Sequence, residues 1–327
     1  MQCEEWADAN SELFKEAHDE TVHKNSYKRK LYELISASLE EERHMKKMMK
    51  AAILALAAAG MVMAGGCGSS QPAKSSAGNS SQSALMQKIK KDGKLVVGTA
   101  SGFPPYEFLD TSVKDQKKID GIDMKLAEAV AQKLGVKLEV QDMTFQSLLS
   151  SITTGKVDIA ISAINPTDER KKTVDFSHNY LEGKQTLLIR REDEGKYKSL
   201  ADFSGKKIAV QKSTIQEKLA SEQIPDAQIV ALAKVPDALL ELKQGKVDAV
   251  PVQNIVGGQY LVTNDDLAPT NIYFDKYSGG SAVAVPKGSD DVVAVINEVI
   301  KENQDNGNID QWVDEMTKKA VANAQSK

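Results

Sequence analysis

The sequence is poor in the residues that build covalent frameworks, metal centres and membrane spans. It contains two cysteines, Cys3 and Cys67, and four histidines, of which only His178 follows residue 44. We therefore expect no disulfide framework, no metal site, no cofactor and no histidine-based catalytic centre in the main part of the chain. The apolar run from Ala51 to Ala64 is well short of the about 20 residues that a membrane-spanning helix needs.

An excess of charge of one sign is also lacking. The 327-residue chain has a formal net charge of −4, and the segment after Cys67 is nearly neutral. Nucleic-acid binding requires a clustered basic face, so nucleic acid is not an expected partner. The composition, 41% hydrophobic and 27% charged, is that of an ordinary globular chain with one or two cores.

Residues 45–66 have the three-part layout of an export signal. A lysine-bearing start precedes the apolar run, and small residues then lead to Cys67. The stretch Ala64-Gly65-Gly66-Cys67 resembles the lipobox of bacterial lipoproteins, which implies that diacylglycerol is attached to Cys67 and that cleavage makes it the new N-terminus. Residues 67–87 are rich in Ser, Gly and Ala and predict a flexible tether. The alternative is a buried apolar helix with a free thiol.

Residues 1–44 precede this signal, although such signals belong at the N-terminus of a precursor. We therefore expect translation to start at Met45, Met48 or Met49. The upstream residues are charged and helix-prone. They are predicted to lie outside the mature protein.

From Leu95 onward, short apolar runs alternate with amphipathic stretches, which predicts an α/β fold with parallel or mixed sheets covered on both faces. The segments LLSSITTGKVDIAISAI and LLELKQGKVDAVPVQN share a Leu-rich helix, a glycine stop and a strand that opens Lys-Val-Asp. This repeat predicts two similarly built lobes. Ala163 and Gln253 both lie five residues after the aspartate of their strand, near the strand ends where such sheets bind ligands.

Four runs carry a more specific signal, namely VVGTASGFPPYEF, GIDMKLAEAVAQKLG, SAINPTDERKKTVDFSHNY and GKKIAVQKSTIQEKLA. They resemble the polar amino-acid branch, family 3, of the extracytoplasmic solute-binding proteins of ABC importers, over roughly Lys88 to Met316. The resemblance implies a periplasmic-binding-protein-like (type II) fold with two lobes and two hinge crossings. It places lobe 1 at residues 88–181 and 278–327, and lobe 2 at residues 182–277.

By the same resemblance, the protein captures a small polar amino acid or related carboxylated solute and delivers it to an ABC permease with its ATPase subunits. We expect a monomer outside the cytoplasm, anchored to the cell membrane through its lipid. Two alternatives remain open, a dehydratase-like enzyme and a sensory ligand-binding domain on the same fold. An enzyme would need a general acid or base in the cleft, which Ala100 and Gln253 do not supply. A sensory domain would be followed by a membrane-spanning helix.

The resemblance also implies a ligand site. Arg170 would grip the ligand carboxylate with two parallel charge-assisted hydrogen bonds, and the Asn165 amide would donate to the same group. Thr214 and Ile215 open a predicted helix in lobe 2, whose exposed N–H groups form an anion site. Two phenylalanines would form an aromatic clamp around the ligand side chain. The clamp residues are Phe103 and Phe145. The other residues expected in the site are Ser162, Ala163, Gln211 and Gln253.

Two departures from the family pattern stand out. The family usually holds the ligand ammonium with a carboxylate, whereas Ala100 and Gln253 occupy the candidate positions. A neutral amide stabilises a desolvated ammonium less than a carboxylate does, so either another group serves or the solute is not an ordinary α-amino acid. Pro251 removes an N–H from a predicted strand, which indicates either a bulge that re-aims Gln253 or an edge position.

Overall fold

The computed structural model describes residues 82–112, 118–275 and 279–325. The predicted upstream extension at residues 1–44, the predicted export signal at 45–66 and the predicted lipidation site Cys67 lie outside these ranges. The flexible tether predicted at residues 67–87 is wrong at its end, because Ala84–Asp92 is a helix. No helix within them is both long and apolar enough to cross a bilayer.

Strands and helices alternate along most of the chain. The strands are β1 (Lys94–Thr99), β2 (Phe108–Asp110), β3 (Lys118–Asp120), β4 (Lys137–Asp142), β5 (Ile159–Ala160), β6 (Val174–Leu181), β7 (Gln185–Arg190), β8 (Lys207–Gln211), β9 (Gln228–Leu232), β10 (Val250–Gln253), β11 (Leu267–Tyr273) and β12 (Ser281–Pro286). The helices are α1 (Ala84–Asp92), α2 (Ile122–Leu134), α3 (Phe145–Thr153), α4 (Ile215–Gln223), α5 (Val235–Lys243), α6 (Asn254–Thr263), α7 (Asp290–Asp305) and α8 (Asn308–Gln325).

Ten of these strands form two sheets with the same plan, and β2 and β3 form a separate antiparallel pair. The sheet of the first lobe has the order β4-β1-β5-β12-β6, with β1 parallel to β4 and β5 and with β12 antiparallel to β5 and β6. In the second lobe β8 pairs in parallel with β9, and β7 lies between antiparallel β10 and β11. A parallel bridge from Ile208 to Ala249 joins these two parts into the order β9-β8-β10-β7-β11. The predicted pair of similarly built lobes is confirmed.

The repeated Lys-Val-Asp opening has a physical reason. The Asp158 carboxylate accepts a hydrogen bond from the Val96 N–H at 2.8 Å, and the Asp158 N–H donates to the Val96 carbonyl at 2.8 Å. In the second lobe the Asp248 carboxylate accepts from the Lys207 N–H at 2.9 Å, and the Asp248 N–H donates to the Lys207 carbonyl at 2.7 Å. Asp158 therefore pins β1, and Asp248 pins β8, to the strand that follows the Leu-rich helix of the same lobe.

The chain passes between the lobes twice. It leaves the first sheet after Leu181 and enters the second at Gln185, and it returns between Tyr273 and Ser281. Helix α6 follows β10 of the second sheet, yet its Val256 packs in the hydrophobic core of the first lobe. The lobe limits predicted from the sequence, residues 88–181 with 278–327 against 182–277, stay a prediction.

The bulge considered at Pro251 is wrong. Strand β10 pairs with β7 in unbroken register, with Val250 opposite Leu188 and Pro251 opposite Leu187. The parallel pairing of this segment with β8 is a single bridge at Ala249. Because proline has no N–H, the backbone at Pro251 cannot extend that pairing.

The Asp158 interaction predicts a measurable loss of stability. Its side chain is buried, so Asp158→Ala leaves the Val96 N–H without its acceptor, and the free energy of unfolding should fall by about 1–3 kcal/mol. Urea denaturation measures this. The control is Asp168→Ala, whose side chain is 103% exposed and whose removal should cost less than about 0.5 kcal/mol. Equal stability of the Asp158 and Asp168 variants would contradict the assignment.

Candidate functional site

Arg170 begins a short 3-10 turn before β6 and reaches across to the second lobe. Its Nη1 donates to the Asn165 carbonyl at 3.0 Å, and its Nη2 donates to the Ser213 carbonyl of the second lobe at 2.9 Å. The guanidinium carbon lies 5.3 Å from the centre of the Phe145 ring, within cation–π range. Three predicted site residues therefore meet, Arg170, Asn165 and Phe145, next to the predicted Thr214.

Among the described residues no carboxylate lies within ion-pair distance of Arg170, and the neighbouring Glu169 attracts its charge only from farther away. Burial lowers the pKa of the guanidinium to about 10, which marks an unfavourable environment for a cation. Both described hydrogen bonds of its Nη atoms go to neutral carbonyls, and no carboxylate among the described residues forms an ion pair with it. A carboxylate held here would supply the missing counter-charge, because buried charges are stable only when they are paired.

The second lobe presents the start of α4 to the same place. Ser213 has a left-handed φ of 66° and precedes the N-cap Thr214, whose hydroxyl accepts from the Glu217 N–H at 3.4 Å. The same hydroxyl donates to the Gln211 carbonyl at 2.6 Å, which joins two predicted site residues. The Ile215 side chain is buried, so Ile215 can contribute only its backbone N–H, one of the first N–H groups that have no partner within a helix.

The Asn165 amide does not perform its expected role. Its Nδ2 donates to the carbonyls of Gly279 at 2.9 Å and Gly280 at 3.1 Å, on the chain segment that returns to the first lobe. Both amide hydrogens are engaged in these bonds, so neither is available for a ligand carboxylate. Asn165 instead acts on the site through its carbonyl, which holds Arg170.

Ser162 and Ala163 lie directly after β5 and face buried acids rather than Arg170. The Ser162 hydroxyl donates to Glu107 Oε1 at 2.7 Å and accepts from the Ala100 N–H at 3.2 Å. Ala163 has a positive φ of 45°, and its N–H donates to Asp123 Oδ2 at 2.9 Å. The end of β5 is therefore held by two carboxylates.

Glu107 and Asp123 are the residues that the sequence interpretation missed. Both are buried, and the Tyr180 hydroxyl donates to Asp123 Oδ1 at 2.6 Å. Burial and the charge of Asp123 hold the pKa of Glu107 well above its usual range, and burial raises the pKa of Asp123 to about 6. The available signal was Glu107 itself, an acid between aromatic residues in Pro-Pro-Tyr-Glu-Phe.

Among the described residues, no three His, Cys, Asp or Glu side chains could hold a metal ion together.

Phe103 and Gln253 lie apart from the Arg170 cluster. Phe103 packs against the core of the first lobe, with its ring 5.9 Å from that of Tyr106. Gln253 is buried at the end of β10, tight against Gly183, where an added Cβ would lie 2.4 Å from the Gln253 Cδ. The Gln253 Oε1 has no hydrogen-bond partner among the described residues. Within that part of the chain, no hydrogen bond or ring contact joins Phe103 or Gln253 to Arg170.

The comparisons with known proteins all point to the same family of binding proteins. A family model described as bacterial extracellular solute-binding proteins, family 3, matches residues 95–319. The arginine-binding extracellular protein ArtP of Bacillus subtilis is 35% identical over 221 residues, which cover 67% of this chain and 84% of ArtP. The L-cystine-binding protein TcyJ of Escherichia coli K12 is 29% identical over 226 residues, covering 69% and 83%. The crystal structure of AbpA from Streptococcus pneumoniae Canada MDR_19A, an amino acid ABC transporter substrate-binding protein bound to L-arginine, is 35% identical with a TM-score of 0.70, covering 72% and 99%.

The buried acids predict how stability depends on pH. Between the usual Glu pKa of 4.5 and the raised folded pKa of Glu107, the native protein holds a proton that the unfolded chain releases, so the free energy of unfolding falls as pH rises. Glu107→Gln is neutral and of the same shape. At pH 8 the free energy of unfolding of this variant should exceed that of wild type, by about 1.4 kcal/mol for each pH unit by which folding raises the pKa of Glu107.

Urea denaturation at several pH values between 5 and 8 measures this slope. Glu169→Gln, a change at an exposed carboxylate, serves as the control and should leave the slope unchanged. The interpretation of Glu107 is wrong if its variant keeps the wild-type slope.

Proposed function

The chain belongs to the bacterial extracellular solute-binding proteins of family 3, and on that premise we propose that it captures an amino acid through its carboxylate and delivers it to an ABC permease. The observation that supports this most directly is Arg170. This guanidinium is held over Phe145, has no carboxylate partner among the described residues and contacts the second lobe at Ser213. An anion placed there would touch both lobes.

The carboxylate site is proposed to combine four groups. Arg170 supplies its two parallel donors, and the Ile215 N–H supplies a donor from the second lobe. The Thr214 hydroxyl would have to turn from the Gln211 carbonyl toward the ligand to donate to it. Asn165 positions Arg170 through its carbonyl. The Ser213 carbonyl accepts from one Arg170 donor, and a ligand carboxylate would replace this neutral acceptor with a charged one. Because such contacts exist only when the lobes are together, ligand stabilises the closed form.

The ammonium group of the ligand is proposed to bind to Glu107 and Gln253. Glu107 Oε2 and Gln253 Oε1 are both buried acceptors without a partner among the described residues. Burial raises the pKa of the Tyr106 hydroxyl, the charge of Glu107 raises it further and the Gln253 amide lowers it, so both side chains lie near Tyr106. Glu107 is then the acid that Ala100 and Gln253 do not provide, and a cation bound beside it would favour its ionised form. ArtP, which is described as arginine-binding, and AbpA, which was solved bound to L-arginine, support an L-amino acid with a cationic side chain as the first candidate.

Phe103, Phe145, Ser162, Ala163 and Gln211 complete the proposed site. Phe145 carries the Arg170 guanidinium on its face, and Phe103 forms the wall beside Tyr106. The other three are proposed to shape the site through the backbone segments that they hold. We propose a binding protein without catalytic activity, because each of these groups serves binding or positioning.

The export signal at residues 45–66 and the following tether support a lipoprotein at the outer face of the cell membrane. We propose that the mature protein begins at lipidated Cys67, acts as a monomer and docks on permease and ATPase subunits of an importer. Residues 1–44 are proposed to be absent from it.

Substitution of Arg170 tests the carboxylate site. Arg170→Lys keeps the charge but loses the planar fork, and Arg170→Ala loses both, so Arg170→Ala should bind L-arginine on the order of 100-fold more weakly. Calorimetry with L-arginine, L-glutamine, L-cystine and des-amino analogues measures the affinity. The matched control is Lys172→Ala, an exposed cation in the same turn, which should bind as wild type does. Wild-type affinity in the Arg170 variants, or no binding of any carboxylated solute, would refute the proposal.

Lipid anchoring has a separate test. Cys67→Ser removes the only thiol at the proposed cleavage site, so the protein should move from the membrane fraction to the soluble fraction. Fractionation followed by immunoblotting measures this. Cys3→Ser is the control and should leave membrane retention unchanged. Retention of the Cys67 variant at the wild-type level would exclude the lipid anchor.

A further inference from the structure

A second contact between the lobes lies away from Arg170. In the first lobe, Asp142 at the end of β4 accepts from the Ser101 N–H and from the Ser101 hydroxyl, each at 2.8 Å. Across the cleft, Lys234 immediately precedes α5. Its Nζ lies 3.9 Å from Asp142 Oδ2 and 3.5 Å from the Ser101 Oγ. Lys234 therefore brings a positive charge to a carboxylate that is already fixed in place.

The backbone beside this ion pair is also covered by the second lobe. Gly102 has a φ of +115°, and a Cβ added there would lie 3.4 Å from the ring of Pro236, in the first turn of α5. The loop after β1 is thus touched by α5 at two successive residues, Ser101 and Gly102. The next residue is Phe103, part of the proposed ligand site, so the contact also sets the position of this aromatic wall.

The two interlobe contacts differ in what ligand does to them. The bond from Arg170 to the Ser213 carbonyl lies where the ligand carboxylate is proposed to bind, so ligand would replace it. The ion pair of Lys234 with Asp142 uses groups outside the proposed site, so it is available with and without ligand. Its side chains are 39% and 34% exposed, which makes the pair weak and sensitive to salt.

We propose that Lys234 and Asp142 form an interlobe latch that favours the closed conformation independently of ligand and thereby slows ligand release. Lys234 is a positioning residue. It acts through Ser101 and Asp142 on the loop that carries Phe103. The effect on ligand release rests on the proposed function, whereas the effect on the ligand-free lobes does not.

The first measurement uses the ligand-free mature protein. Fluorophores on Glu128→Cys in α2 and Ser221→Cys in α4, both exposed positions, report the distance between the lobes by single-molecule energy transfer, in a Cys67→Ser background. Lys234→Met removes the charge and keeps the length of the side chain. It should lower the ratio of closed to open molecules about two- to fivefold, the range of an exposed ion pair.

Three comparisons assign this effect to the pair. Asp142→Asn should lower the ratio of closed to open molecules as much as Lys234→Met does. The double variant should lower this ratio no further than either single variant, and Lys234→Arg should keep it at the wild-type value. The control is Lys243→Met on the same helix, which removes an ion pair of 3.1 Å to Asp266 within the second lobe. High salt, about 1 M, should abolish the difference between wild type and Lys234→Met.

The second measurement is the dissociation rate of L-arginine, which should rise about two- to fivefold in Lys234→Met at low salt. An unchanged ratio of closed to open molecules, or an equal effect of Lys243→Met, overturns the latch. An altered ratio with an unchanged dissociation rate overturns its role in ligand release. If L-arginine and the other carboxylated probes do not bind wild type, the proposed function fails, and the ligand-free ratio still decides whether the latch exists.

Discussion

The contact that organises this protein is the Arg170 guanidinium held between two lobes. It rests on the Phe145 ring, donates to the Asn165 carbonyl of its own lobe and donates to the Ser213 carbonyl of the other. A half-buried charge is more stable when it is paired, and no carboxylate among the described residues forms an ion pair with Arg170. Under the proposed function, an anionic group that enters would complete the pairing and join the two lobes.

Each lobe has to be rigid for this contact to be selective, and the repeated aspartates contribute to that rigidity. Asp158 ties β1 to β5, and Asp248 ties β8 to β10, the strands whose ends border the cleft. Near those strand ends lie Ser162 and Ala163 in one lobe and Gln253 in the other. The polar groups of the cleft therefore stand on strands that are fixed by buried hydrogen bonds.

The acids of the site show where reasoning from sequence stops. The family pattern directs attention to Ala100 and Gln253, and their neutrality made the cationic end of the ligand hard to explain. Glu107 lies on a different segment, and it comes next to Ser162 only when the loop after β1 folds back against the end of β5. Asn165 is a similar case. Its amide looked available for ligand, but it is used by the carbonyls of Gly279 and Gly280, more than a hundred residues away.

The sequence by itself determined the family, the α/β class, the two-lobe plan and the position of Arg170, because periodicity, glycine stops and short motifs are local properties. The tertiary structure decided which groups surround that arginine, which acids are buried beside the site, and that Lys234 meets Asp142 across the cleft. These contacts join segments far apart in the chain. Their existence depends on how the sheets are ordered and how the lobes close, which no local pattern encodes.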